Sequence, residues 1–578
     1  VTTRRAEELF GAILCASGLF TSLLAAGCGG KAATVRGGSD VDGGVASSAG
    51  EGGTTPSAPG AEAGSLADAR GKAPGFDGGS AGGADGGCPI YQTRCGGSCM
   101  STVADPGNCG GCGVTCSVGQ VCSASACSNS CLPGMTPCNG ACVDIENDDA
   151  NCGGCSRTCG AGEGCAVGLC VKAAGSTTSP QCIGAGPPVV IGNTTAGCIA
   201  QTTFTWALCS CTDVNVSGLL LTDAFDSTHS PYQPGGLGGG IGLDGQLDLG
   251  GELEAWGALW ASDSGGYTAS GTVTVKQETH IGGPLANAGL ATLDDDAYVD
   301  GNVTGEVAVK TTLHVPSSAQ IAGPVTYGAL VRQSVSVAPP CDCTTTGLLP
   351  ISAWVAAAQP PGNDNASIGL DPDLFAQGTA QPARLDLPCG RYYLRGIEAA
   401  DALTIAAHGN TALFIDGDVH AVGAISFVLD PTAQFDVVIS GTVAHAGSLM
   451  VGCPNYPALS RTYIGSPAGL AFTGASQLGG NVYAAYGEVQ FSGGLTVYGS
   501  VFAGDVEAVG GATIHYDRAV LGGELCPTPG GGSCQTCKDC GNQACIGGAC
   551  GSCTSDDQCC APLVCQSGQC VDVPSQPK

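Results

Sequence analysis

The sequence predicts a mainly β protein: a β-solenoid flanked by small disulfide-rich modules and a disordered tether. Three observations predict it. A five-residue phrase, aliphatic, any residue, Gly, any residue, aliphatic, returns through the second half of the chain. Thirty-seven cysteines crowd mostly to either side of that region. Residues 28–87 are Gly, Ala, Ser and Asp with scattered Pro and almost no large apolar side chains.

The phrase reads IGGPL from Ile281, VDGNV from Val299, IAGPV from Ile321, IDGDV from Ile415, ISGTV from Ile439, LGGNV from Leu478, VYGSV from Val497 and LGGEL from Leu521. Most steps are one or two units of about twenty residues, and one contains an insertion. A unit this short cannot bury its apolar face alone, whereas stacked copies can, which is the logic of a solenoid. Gly at the middle position suggests a bend where only Gly fits a neighbour's backbone. The solenoid is expected over residues 183–525, with an insertion around 341–400. Runs such as GTVTVKQ from Gly271 and EVAVKTTLHV from Glu306 alternate as strands do. In the insertion, Pro350 and Pro360 bracket a candidate helix, Ile351 to Gln359.

Charge excludes one class of partner. Of 578 residues, 49 are acidic and 19 basic, a formal net charge of −30. Nucleic acid binding needs clustered Lys and Arg to neutralise phosphates, so no nucleic acid partner is expected. The cysteine density points to an oxidising compartment, where such residues form a framework.

The N-terminus agrees with that placement. Arg4 and Arg5 precede a largely apolar stretch, Leu9 to Leu24, followed by Ala25, Ala26, Gly27 and Cys28. This is the layout of an export signal, residues 1–27. It resembles a bacterial lipoprotein signal, although Ala25 stands where that family usually has Leu. The resemblance implies cleavage before Cys28, lipid attachment there, and a membrane partner through the lipid anchor, at the outer membrane or cell surface. Residues 28–87 cannot offset the entropy of ordering and read as a flexible tether with a span of roughly 40 to 45 Å.

Cys88, Cys95, Cys99, Cys109, Cys112, Cys116, Cys122 and Cys127 are followed by Cys131, Cys138, Cys142, Cys152, Cys155, Cys159, Cys165 and Cys170, each 43 residues on. Two tandem modules follow, 88–130 and 131–172, too small for a sizeable core and dependent on disulfides. Zinc is the rival, through Cys109 with Cys112 and Cys152 with Cys155, but an exported location favours disulfides. Asp105 with Asn108 and Asp148 with Asn151 read as turn formers rather than calcium ligands. The run D-x-x-N-C-G-G-C resembles the stigma-specific protein family, which implies an extracellular module.

Cys209 with Cys211 and Cys341 with Cys343 form two Cys-x-Cys pairs. Neighbours this close on an extended backbone do not bond each other, so cross-links to other segments, including Cys182, Cys198, Cys389 and Cys453, are expected. A four-thiolate metal site is the alternative. The stretch from Leu478 to Tyr516 is similar in its repeat to bactofilins, polymer-forming bacterial β-helices. In its order of NVYA, YGS and IHYD it resembles a β-helical domain attached to some pilus-assembly proteins. That second resemblance rests on Val482, Tyr483, Ala484, Tyr498, Gly499, Ser500, His515, Tyr516 and Asp517, and implies a surface or appendage-associated structural role. In residues 526–574, the run DDQCCAPLVCQSGQC, with Cys553, Cys559, Cys560, Cys565 and Cys570, resembles colipase-type or knottin-type disulfide folds. Setting aside Cys15 and Cys28, an odd number of cysteines remains, so one thiol is free or bonds another chain.

No catalytic, cofactor or metal residues are assigned. The candidates are Asp294, Asp295 and Asp296, read as a solvated loop; Arg391 and Arg395, read as flanking apolar strands; and His515 with Asp517, read as a polar cap near the final turn. A Gly-x-Ser-x-Gly match from Gly78 lies in the tether, where no nucleophile elbow can form. The expected role is a lipid-anchored envelope protein, structural or adhesive, presenting disulfide-rich modules on a stalk. The alternatives are a binding module for an envelope carbohydrate or protein ligand, and a polysaccharide-active β-helix hydrolase or lyase.

Overall fold

The computed structural model describes residues 92–522, apart from short interruptions, and parts of 544–571. The export signal, Cys28, the tether, Cys88 and Cys560 lie outside the described residues, as do the side chains of Cys99 and Cys570.

Among the described residues, one hydrogen-bonded system of 34 strands contains the 32 strands between Leu208 and Asp517 that build the solenoid and the last two strands of the second cysteine module. Its turns are triangular, and corresponding strands of successive turns pair in parallel to give three faces. The first face stacks Ala383–Leu387, Leu403–Ala407 and Ile425–Leu429. The second stacks Gly390–Leu394, Thr411–Ile415 and Phe435–Ile439. The third stacks Ile397–Ala399, Val419–Ala421 and Val443–His445. Alternation along each strand sends every second side chain inward, as in Leu247–Leu249 and Val273–Val275, whose outer residues are buried. Inward residues lie above one another, Leu243 on Ala261, Ile281 and Val299, so each turn covers the apolar face its neighbour leaves open.

The Gly-centred phrase marks corners. In IGGPL, Ile281 ends a strand of the second face and Leu285 opens one of the third. A Cβ on Gly441 would meet the Gly417 carbonyl oxygen at 2.2 Å, and one on Gly301 would meet backbone at 2.7 Å. Close stacking of the corners therefore requires Gly there. The corner differs along the chain: Leu478 and Val482 flank the turn from first to second face, Ile321 and Val325 that from third to first. Changes of corner, together with the longer strands of the later block such as Thr411–Ile415 against Thr279–Ile281, account for the uneven spacing. Of LGGEL, Leu521 ends a 3-10 helix, Arg518–Leu521, rather than a strand, and residues 523–525 lie outside the described residues.

Order in space departs from order in sequence. Val501–Ala508 and Gly511–Asp517 do not end the solenoid. They pair in parallel with Leu208–Ser210, Val214–Val216 and Leu219–Phe225. The later block, 383–517, is thus proximal, and the earlier block, 208–332, continues it distally. Residues 333–382 carry the chain back from the distal end to the proximal one, and strands resume at Ala383. The long step between Ile321 and Ile415 is therefore a return path followed by a new start of the solenoid. The helix of this path, Ile351–Ala358, buries Ile351, Val355 and Ala358.

Disulfides hold the path in place. The two Cys-x-Cys pairs bond each other, Cys209 to Cys341 and Cys211 to Cys343, pinning the returning chain to the turn where the blocks meet. Cys182 bonds Cys389, and Cys198 is also bonded. In the first module the pairs are Cys95–Cys112, Cys109–Cys122 and Cys116–Cys127. In the second they are Cys131–Cys142, Cys138–Cys155, Cys152–Cys165 and Cys159–Cys170. Each described pair of the first module thus recurs 43 residues on, so equal spacing gives equal pairing. The expected disulfide of Cys99 is not among them. Cys99 lies on the strand Ser98–Ser101, opposite Arg94, and a bond from its sulfur falls outside the described residues. Its equivalent in the second module, Cys142, bonds Cys131. The sulfurs of Cys109, Cys116 and Cys127 converge, as do those of Cys152, Cys159 and Cys170. They belong to adjacent disulfides. Near the C-terminus Cys553 bonds Cys565, and Cys545 and Cys559 are also bonded.

Candidate functional site

The second cysteine module is fused to the solenoid. Its last strand, Leu169–Gly175, runs on to pair through Ala173–Gly175 with Arg384–Asp386, becoming the outermost strand of the first face. That placement lays Asp144, Asn147 and Asp149 across successive turns and leaves a cleft of about 530 Å³ between module and face. Met135, Leu429 and Met450 give it apolar walls, while Asp144, Cys453 and Tyr456 bring polar atoms to it.

A chain of charges closes one side. Arg384 is buried, at 3% exposure. Its Nε donates to Asp386 at 2.8 Å, and its terminal nitrogens donate to the Asn147 and Cys165 carbonyls at 3.2 and 2.5 Å and to Asp149 at 3.2 Å. His408 continues the line, with Nε2 3.1 Å from Asp386 and Nδ1 3.2 Å from Asp430. Burial alone would push the imidazole down, and hydrogen bonds to Asp386 and Asp430 outweigh it, holding His408 up at about 9. Burial would raise Asp386, but His408 and Arg384 together hold it below the usual carboxylate range. Further from these cations, burial raises Asp144, and its bonds from Asn147 and Glu146 compensate only in part.

Cys453 is the free thiol among the described residues. Burial pushes it up to about 11, so at neutral pH it is a protonated thiol and a poor nucleophile. One side-chain bond ties each module to the solenoid beside the cleft: Thr404 Oγ1 donates to Asn147 Oδ1 of the second, and Ser123 Oγ of the first donates to Asn455 Oδ1, both at 3.1 Å.

The candidate catalytic residues do not converge. Asp294 is held by Lys310 at 2.7 Å and Lys276 at 3.1 Å. Burial would raise its carboxyl, but these two bonds bring it below the ordinary range. Asp296 accepts from the Thr312 backbone at 3.0 Å. The guanidinium of Arg391 lies over the Phe414 ring, and Arg395 pairs with Asp373. His515 and Asp517 are not a cap at an end. They sit inside the solenoid, on the strand that joins the two blocks. His515 Nδ1 lies 2.6 Å from Asp223 Oδ1, and Tyr232 donates to the other Asp223 oxygen at 2.8 Å. Asp517 is fully buried and accepts from Ser227 through both its N–H, at 3.0 Å, and its hydroxyl, at 2.7 Å. Burial, partly offset by those bonds, raises its carboxyl to about 6.

Trp260, His280, Tyr298 and His314 fall on one register line of the second face and stack face to face, with centroids 3.7, 4.6 and 4.3 Å apart. Sequence reasoning missed them, although their spacing of close to one turn was the signal. Their ring faces cover one another along the row.

Two family models match parts of the chain. Residues 351–522 match a domain of unknown function, DUF7305, and residues 123–173 match the stigma-specific STIG1-like protein family. No curated protein and no solved structure matches. The first match spans the return helix and the proximal block and leaves the distal block outside. The second spans the end of the first module and the whole of the second, up to the strand that joins the solenoid.

Proposed function

We propose that the chain is an exported cell-envelope protein, structural or adhesive, anchored through lipid on Cys28. The solenoid serves as its rigid stem, and the fused cysteine module forms its contact region at the proximal end. The observation that carries this reading is the continuous ladder between Ala173–Gly175 and Arg384–Asp386, which makes module and stem one body. Disulfides spread through modules and solenoid favour an oxidising location. The role is non-catalytic in this reading, supported by the separate engagement of each candidate carboxylate.

A binding role has its own support in the cleft. Its apolar walls and the desolvated Asp144 suit a protein segment or glycan with an amine or amide group. Expression in the native host beside a Cys28→Ser variant tests the anchor: the parent partitions with membranes and the variant does not. If both remain soluble, the anchored reading fails. Capture from envelope extract by the parent and by a Met450→Arg variant, which fills the cleft, tests the contact region. Equal capture by the two removes the cleft from the account.

A further inference from the structure

The two ends of the solenoid are finished differently. At the proximal end all three faces are covered by the chain itself. Ala173–Gly175 pairs with the first face. On the second, Asn365 imitates a strand, its side chain donating to the Tyr393 carbonyl at 2.8 Å and accepting from the Tyr393 N–H at 2.9 Å. On the third, Thr379 bridges Ala399.

Among the described residues the distal turn has no such cover. Ile321–Ala322 and Val325–Arg332 pair with the preceding turn on one side only, and no described residue pairs with their other side. After Arg332 the chain turns back along the second face, where Gln333 bonds His314 and the Ala338 carbonyl accepts from Trp260. It covers a side of the solenoid and leaves the end open. Tyr327 and Val331 are 41% and 36% exposed, and Ile321, Val325 and Leu330 are only half-buried. A row of unpaired N–H and C=O groups beside a cut apolar core is the feature that soluble β proteins usually blunt with edge charges. Here Pro324 and Arg332 are the sole such devices on the distal turn, and no acidic charge blunts it. From Val307 to Cys341 there is no acidic residue, in a chain with 49 of them. The guanidinium of Arg332 is folded onto the Pro316, Ser317 and Ala319 carbonyls.

We propose that this end is a self-association surface at which two copies of the chain pair end to end. A second copy supplies what the edge needs: three edges at the same corners of the same triangular section, around an equally apolar core. Its acid-free end also lets two strongly acidic molecules meet where repulsion is least. Because each chain has one open end and one covered end, the pairing closes. It gives an isologous dimer with antiparallel strands across the joint, and not a filament.

The test uses the full chain with its disulfides intact. Sedimentation velocity over a concentration series is expected to show a monomer passing to a dimer and stopping there. A double variant, Tyr327→Glu with Val331→Glu, places charge on two exposed edge positions and is expected to be monomeric with an unchanged melting temperature. Val509→Glu, on an exposed side position, is expected to dimerise as the parent does. Should the edge variant fold poorly, hydrogen exchange of the parent at low and high concentration replaces it, with slowed exchange of the amides in 325–332 at high concentration expected. A parent that stays monomeric at its highest soluble concentration, one that grows beyond a dimer, a folded edge variant that still dimerises, or edge amides that exchange equally at both concentrations would each overturn the proposal.

Discussion

His515 and Asp223 are 292 residues apart in sequence and 2.6 Å apart in the fold. They join the end of the proximal block to the start of the distal one. Around them the Tyr232 ring lies tilted against the imidazole, centroids 3.8 Å apart, and its hydroxyl donates to Asp223, whose same oxygen also accepts from the Gly235 N–H at 3.0 Å. Asp223 is 1% exposed, so removing it strands the buried His515 and leaves the partly buried Tyr232 hydroxyl and Gly235 N–H without their acceptor. Asp223→Ala is expected to cost on the order of 3 kcal/mol, seen as a lower midpoint in denaturant unfolding. Tyr327→Ala, at the open end, is expected to cost well under 1 kcal/mol.

Two disulfides close nearly the same loop, since Cys209–Cys341 and Cys211–Cys343 both span 132 residues. Losing one leaves the loop closed by the other. Replacing Cys209 and Cys341 together by Ser is therefore expected to change stability by less than about 1 kcal/mol, whereas replacing all four cysteines costs about 4 to 5 kcal/mol. Additive losses in thermal unfolding would show that the two bridges constrain separate parts of the chain.

The charge line under the module makes stability depend on pH. His408, raised to about 9, contributes stability that is fully present below its unfolded value near 6.5 and is lost as pH rises through about 9. Asp386, held low, contributes above its unfolded value and loses it as pH falls. The His408 contribution is on the order of 2 kcal/mol, allowing for its slight exposure. Unfolding midpoints between pH 7 and pH 10 are expected to fall more steeply for the parent than for His408→Gln. Asp517, raised to about 6, acts in the opposite sense to Asp386, its contribution being present at low pH and lost as pH rises through about 6.

Corner glycines offer a local test. Gly441→Ala puts a methyl group 2.2 Å from a backbone oxygen of the turn below, and backbone on both sides must move. A loss of roughly 1 to 3 kcal/mol is expected. Gly494→Ala meets nothing within 4 Å and is expected to stay within about 0.5 kcal/mol of the parent.

The turns were legible because each obeys local rules: alternation inward, and Gly where corners touch. The helix from Ile351 was legible from its flanking prolines. Which turn lies on which was not, because parallel pairing leaves no mark in the strands it joins. Val501 pairs with Leu208 by no rule that would not serve equally for another turn. The two Cys-x-Cys pairs were the trace of that arrangement, and a bond between them would have revealed a chain that returns. The cleft was harder still. It depends on Arg384 reaching Asp149 across 235 residues, and an Arg alternating with Leu and Asp reads as any exposed strand position.

The most direct test of the account is disulfide mapping, by mass spectrometry, of the protein isolated from its own host without reduction. The account predicts Cys209–Cys341, Cys211–Cys343 and Cys182–Cys389 peptides, the same pairing in both modules, with Cys99 bonded to Cys88 as Cys142 is to Cys131, and Cys453 as an alkylatable thiol only after unfolding. Reduced or metal-loaded cysteines in the modules would contradict the exported, disulfide-locked scaffold. Bonds within the Cys-x-Cys pairs would contradict the returning chain and, with it, the order of the two blocks.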